Sequence, residues 1–172
     1  MNVAKILRMD VVNGDGFRVS LFVSGCNRKC KGCFNQQAQD PNFGYKYDEE
    51  VKNKIFKELE NDHCSGLSLL GGDPMSYLSD NRKTVIQLCK EVKEKFPNKT
   101  IFMWTGYTIE EVLASNDMKD IVKYVDVIID GPFIEELKDI DLKWRGSSNQ
   151  KIIYTKDLIS NNLNNDNWVI RV

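Results

Sequence analysis

Four short apolar runs in this 172-residue chain each stop at a glycine-bearing segment, and that punctuation constrains the fold more than any other feature. Residues 18–24 end at Gly25-Cys26, 67–70 at Gly71-Gly72-Asp73-Pro74, 101–104 at Thr105-Gly106, and 125–129 at Asp130-Gly131-Pro132. β-Branched and aromatic side chains favour strands, and glycine freedom or proline restriction ends them. Residues 152–154 form a fifth, shorter run. Helical patterns lie between the runs. Asp48 is placed to cap a helix with Val51, Ile55, Phe56 and Leu59 on one face, ending near Asp62. Residues 81–96 put Val85, Leu88, Cys89, Val92 and Phe96 on one stripe before Pro97. Thr108 and Glu111 make a capping-box signature for a third helix, which breaks around Asn116.

Alternating strands and helices predict an α/β fold, with a parallel sheet built from right-handed crossovers. A closed eight-unit barrel takes roughly 250 residues, so a chain of this length supplies about five or six units. The expectation is a partial, open parallel (βα) barrel. With 41% hydrophobic residues, 1–172 reads as a single domain. A polar, Asn-rich tail runs from about 157, and 168–172 is its candidate last strand. In parallel α/β folds ligands sit beyond the strand ends, so the four glycine segments should converge on one rim.

Lys and Arg total 24 against 25 Asp and Glu, giving a net charge of -1 and no cationic surplus to hold a phosphate backbone. Nucleic acid is therefore not an expected partner. No apolar stretch is long enough for a signal peptide or a membrane span, which predicts a cytoplasmic protein. The cysteines number five, and three of them fall in the stretch 26–33. In a reducing compartment that pattern points to metal or redox chemistry rather than a disulfide framework.

Cys26-Asn-Arg-Lys-Cys30-Lys-Gly-Cys33 offers three thiolates on one short loop. Such spacing suits a cubic iron–sulfur cluster with one iron left free of protein ligands. Arg28, Lys29 and Lys31 are placed to lower thiol pKa and offset cluster charge. Two other readings stay open at this point. A structural zinc site needs a fourth ligand from His63, Cys64 or Cys89, none at ligand-pair spacing, and would make the chain a non-catalytic interaction module. A Cys30/Cys33 redox dithiol leaves Cys26 unexplained.

The CxxxCxxC spacing after the first apolar run resembles the radical S-adenosylmethionine superfamily. Further segments narrow it: Val12-Asn13-Gly14, Leu21-Phe22-Val23-Ser24-Gly25-Cys26, Gly71-Gly72-Asp73-Pro74, Trp104-Thr105-Gly106-Tyr107, Asp130-Gly131 and Trp144-Arg145-Gly146-Ser147-Ser148-Asn149-Gln150. Together they resemble the anaerobic ribonucleoside-triphosphate reductase-activating proteins over about residues 8–150. The resemblance implies a radical SAM barrel and an oxidoreductase that uses one 4Fe-4S cluster and S-adenosyl-L-methionine. It implies Cys26, Cys30 and Cys33 as cluster ligands. The free iron would chelate S-adenosylmethionine, whose reductive cleavage gives a radical that leaves a glycyl radical on the anaerobic (class III) reductase. Gly32, Cys33 and Phe34 would lie near the adenine, and Gly71, Gly72 and Asp73 near the methionine moiety. A low-potential donor such as flavodoxin is the implied reductant, and a homodimer is left open. Activation of another glycyl-radical enzyme is the alternative within the same chemistry. The chain has Gly32 where many superfamily members carry an aromatic residue, and Asp73 where Glu is common; both fit the activase branch.

Several conspicuous residues have plainer expected roles. Trp104 reads mainly as core, Asp130 as part of a turn, and His63 as a surface loop residue. Cys64 and Cys89 read as small core residues, and residues 90–95 as a solvated helix face.

Overall fold

The computed structural model describes residues 1–160. The candidate last strand at 168–172 and most of the Asn-rich tail lie outside the described residues. Among the described residues seven strands form one sheet: β1 (Asn2–Asp10), β2 (Phe17–Val23), β3 (Tyr45–Lys46), β4 (Cys64–Gly71), β5 (Thr100–Trp104), β6 (Val127–Asp130) and β7 (Lys151–Tyr154). Their order is β3-β1-β2-β4-β5-β6-β7, and among the described residues β3 and β7 are the two edges and the sheet does not close. The four strands β2, β4, β5 and β6 run parallel, as the alternating pattern predicts. Both flanks are antiparallel: β1 pairs with β2 and β3, and β7 pairs with β6. The five or six parallel units expected from length thus reduce to a four-strand parallel centre. The chain spends residues 1–16 on a hairpin arm, and 131–150 on a return segment that lacks an α-helix.

Helices α1 (Glu49–Leu59), α2 (Asn81–Lys95) and α3 (Ile109–Ala114) make the crossovers, and α4 (Thr155–Ser160) follows β7. Asp48 caps α1 by accepting from the Val51 N–H, and Val51, Ile55 and Leu59 are the buried stripe. The Thr108/Glu111 capping box of α3 is fully formed. These helices pack on one face of the sheet: Ile55, Leu59, Leu88, Cys89 and Val92 meet Val19, Leu21, Leu67, Leu69, Ile101, Met103 and Ile128. Because strand side chains alternate, the neighbouring residues Phe102, Val127, Ile129 and Ile152 point the other way. There they form a second, smaller cluster with Trp104, Trp144 and Tyr154.

At the start of β2 this second face holds a buried cation. Arg18 is 1% exposed, and all five of its N–H donors are used, by Ser68 Oγ, the Asp15 carbonyl, Thr100 Oγ1, and the Leu67 and Thr100 carbonyls. Its guanidinium also stacks 4.3 Å from the Phe102 ring centre. Burial lowers its pKa to about 10, leaving it charged at neutral pH.

Candidate functional site

The carboxyl ends of β2, β4, β5 and β6 bring the glycine segments together, as expected. The bonds that do this are mostly backbone to backbone. Gly72 N–H donates to the Val23 carbonyl at 2.7 Å and Asp73 N–H to the Gly25 carbonyl at 2.9 Å. Gly25 and Cys26 N–H donate in turn to the carbonyls of Ala38 and Gln39, so the cysteine loop is bracketed at both ends. Cys26, Cys30 and Cys33 then line one pocket of about 180 Å³ together with Gly71, Gly72, Thr105, Gly106 and Gly131.

All three thiols are unbridged and part-exposed. Burial pushes the Cys26 thiol above its usual pKa, while the N–H groups of Arg28 and Lys29 pull it back. For Cys26 burial outweighs the neighbouring cations expected to lower it, and two of those cations are engaged elsewhere. Arg28 is bound to Glu111 at 2.5 Å, and Lys31 to Glu135 at 2.9 Å. Three thiols on one loop, facing backbone that carries no side chains, fit a cluster held by three cysteines. Among the described residues no three His, Cys, Asp or Glu side chains are grouped to hold a single metal ion. The fourth ligand of a zinc site is not at hand either. His63 is exposed beside the opposite end of β4, and Cys64 and Cys89 are buried in the core. These three residues thus sit as the sequence suggests.

The remaining candidates are placed less uniformly. Gly71, with φ of +113°, and Gly72 are on the pocket wall. Gly72 owes its lack of a side chain to protein rather than to ligand, since a Cβ there would lie 2.5 Å from the Ala38 carbonyl and 2.6 Å from that of Gly25. Asp73 lies behind the wall, 1% exposed. Its carboxylate accepts from Met75 N–H at 2.8 Å, Thr105 Oγ1 at 2.9 Å and Gly106 N–H at 3.0 Å, tying the β4 loop to the β5 loop. Burial raises its pKa against those bonds. Gly32, at φ +70°, faces Glu135 rather than the pocket. Phe34 is 72% exposed and meets the Phe133 ring at 5.9 Å; Phe133 itself lines the pocket.

Further residues complete the rim. Asn81, which reads as the first helical residue of α2, is fully buried and donates to the carbonyls of Ser24 and Asp73. Gln150 donates to the Gly131 carbonyl and accepts from the Gly146 and Ser147 N–H groups, making the Trp144–Gln150 motif a loop closed on itself. Asp130 accepts from Ile109 and Lys151 N–H and so braces the end of β6, in keeping with a turn role. Trp104 donates to the Trp144 carbonyl at 2.7 Å and packs in the second cluster.

Comparison with known proteins agrees with this geometry. The family model of the 4Fe-4S single cluster domain matches residues 12–153, which supports an iron–sulfur cofactor. The anaerobic ribonucleoside-triphosphate reductase-activating protein of Vibrio cholerae is 44% identical over 154 residues, covering 88% of this chain and 97% of that protein. The protein of the same name from Escherichia coli K12 is 36% identical over the same shares, and that of Enterobacteria phage T4 is 40% identical over 88% of this chain and 93% of its own. Similarity of this extent, with the three cysteines and the glycine strand ends gathered at one pocket, shows that the chain belongs to the family of anaerobic ribonucleoside-triphosphate reductase-activating proteins.

Proposed function

We propose that this chain is a radical S-adenosylmethionine enzyme that generates the glycyl radical on an anaerobic ribonucleoside-triphosphate reductase. The observation that carries the reading is the pocket itself, in which three cysteines of one loop meet glycine backbone from the ends of three other strands. Cys26, Cys30 and Cys33 would hold a 4Fe-4S cluster. Bound there, the cluster supplies the electron for reductive cleavage of S-adenosylmethionine, the source of the radical. Gly71 and Gly72 offer backbone to the methionine end, and Asp73 fixes that backbone from behind through its three accepted hydrogen bonds. Gly32, Cys33 and Phe34 are assigned to the adenine side, supported by Phe133, which lines the pocket and touches Phe34.

The thiols remain part-exposed, so the docked reductase would both cover the site and present the glycine from which hydrogen is taken. The open sheet is read as the partial barrel of radical SAM type, and 1–172 as one domain. No helix of the described residues is long and apolar enough to cross a membrane, and three unbridged thiols suit the reducing cytoplasm with a low-potential donor. Anaerobic reconstitution tests the assignment: iron and sulfide should bind, and 5'-deoxyadenosine should form with a strong reductant. Binding of zinc alone, with no cleavage of S-adenosylmethionine, would contradict it.

A further inference from the structure

Tyr107 stands where three of the rim loops meet, and its contacts exceed what packing alone requires. It follows Gly106 on the β5 loop and is 8% exposed. Its hydroxyl donates to Asn27 Oδ1 at 3.1 Å and accepts from Arg82 Nη2 at 3.2 Å. Its ring lies 4.1 Å from the Arg28 guanidinium and 5.5 Å from that of Arg82. Asn27 and Arg28 are two of the three residues between Cys26 and Cys30. Arg82, on α2, anchors to the Met75 carbonyl in the loop after Gly71-Gly72 through its Nε at 2.8 Å. Glu111 adds a second tie, because its Oε2 accepts from Arg28 Nη2 and also from the Thr108 N–H in the α3 capping box.

We propose that Tyr107 is a positioning residue: its ring and hydroxyl hold the Cys26–Cys30 half of the cysteine loop in a fixed relation to the glycine backbone opposite. This rests on the reading of the pocket as the cluster and cofactor site. Such a device supplements a loop with few main-chain bonds of its own. Cys33 N–H to the Cys30 carbonyl, at 3.3 Å, is the one backbone bond within 26–33 among the described residues, and Lys29 adopts φ of +49°, unfavourable for a side chain with a Cβ. A stacked guanidinium and a hydroxyl bond fix orientation at short range, which matters where a cofactor must meet both the loop and the opposite wall.

The clamp acts on the loop, so its first test needs neither cluster nor activity. Hydrogen exchange is followed in the apo protein for Tyr107→Phe, Tyr107→Leu and Arg28→Gln. Loss of one stacking contact and one hydrogen bond should raise exchange across 26–33 roughly tenfold in Tyr107→Leu and Arg28→Gln. Tyr107→Phe, which keeps the ring, should show less, and α1 should be unchanged in all three. Arg28→Gln replaces a part-exposed side chain, so it reports even if Tyr107→Leu fails to fold. The second readout is the electron paramagnetic resonance spectrum of the reduced, reconstituted cluster with and without S-adenosylmethionine. Iron content should hold in the variants, while the spectral change on cofactor addition diminishes and KM rises more than kcat falls. Loop exchange unchanged, or raised equally throughout the protein, would overturn the clamp. A wild-type spectrum indifferent to S-adenosylmethionine would instead overturn the functional reading, leaving the exchange result to decide the clamp.

Discussion

Replacing Gly72 by alanine adds one methyl group at a tight backbone crossing of the site. The new Cβ would lie 2.5 Å from the Ala38 carbonyl oxygen, 2.6 Å from that of Gly25 and 2.9 Å from the Gly25 carbonyl carbon, against an ordinary contact of 3.4 Å or more. All three atoms are backbone, so no side chain can turn aside, and the crossing loop segments must part by about 1 Å. Overpacking of this kind costs about 1–3 kcal/mol. In a chain of this size that corresponds to a fall in Tm of roughly 3–10 °C. The displaced atoms carry the N–H and carbonyl bracket around Cys26, so iron retention should fall along with cofactor affinity. Differential scanning calorimetry on the apo protein and iron analysis after anaerobic reconstitution measure the two effects. A variant that melts within a degree of wild type and keeps full iron would refute the close crossing. One that keeps iron and stability but loses only S-adenosylmethionine affinity would show that the missing Cβ faces ligand instead.

The cysteines should separate cleanly: alanine at Cys26, Cys30 or Cys33 abolishes cluster assembly, whereas Cys64→Ala and Cys89→Ala retain it, as iron and sulfide analysis will show. Arg18→Met removes the donors that now serve five carbonyl and hydroxyl oxygens, and should destabilise by about 3–5 kcal/mol in chemical denaturation. A Met variant as stable as wild type would show that the buried charge brings no net stability. Burial alone would raise the Asp10 pKa, but bonds from Ser20, Asn13 and the Val12 N–H together hold it low. Its contribution is therefore present above the unfolded carboxyl value, near 3.9, and is lost as pH falls through the lower folded value. The stability gap between wild type and Asp10→Asn should be constant from pH 7 to 5 and shrink below about pH 4; a gap that widens there would reverse the sign.

The parallel centre of the fold was legible because its strands are buried on both sides, and their apolar runs are unbroken until a glycine. Asp48 and the Thr108/Glu111 pair announced their helices for the equally local reason that a cap bonds within its own turn. β1 escaped notice. It is interrupted by Lys5 and Arg8, alternates irregularly and carries a bulge, as suits a flank strand with much of its surface in water. The antiparallel direction of β7 was hidden too, because pairing direction depends on the helix-free return through 131–150. At the site, the gathering of three cysteines at one place could be read from spacing. The bracing by Asp73 could not: its partners Thr105 and Gly106 lie 32 and 33 residues away in the chain. Asn81 and Tyr107 show the same limit, their roles fixed by loops that meet only in three dimensions.

The most direct test of the central claim is the radical on the partner. Reconstituted protein, S-adenosylmethionine and a strong reductant are incubated anaerobically with the anaerobic ribonucleoside-triphosphate reductase, and the mixture is examined by electron paramagnetic resonance. The account predicts a glycyl radical doublet that requires all components, disappears with Cys30→Ala in this chain, and disappears when the radical-site glycine of the reductase is changed to alanine. Cofactor cleavage coupled to turnover of a free metabolite, with no radical on the reductase, would contradict it.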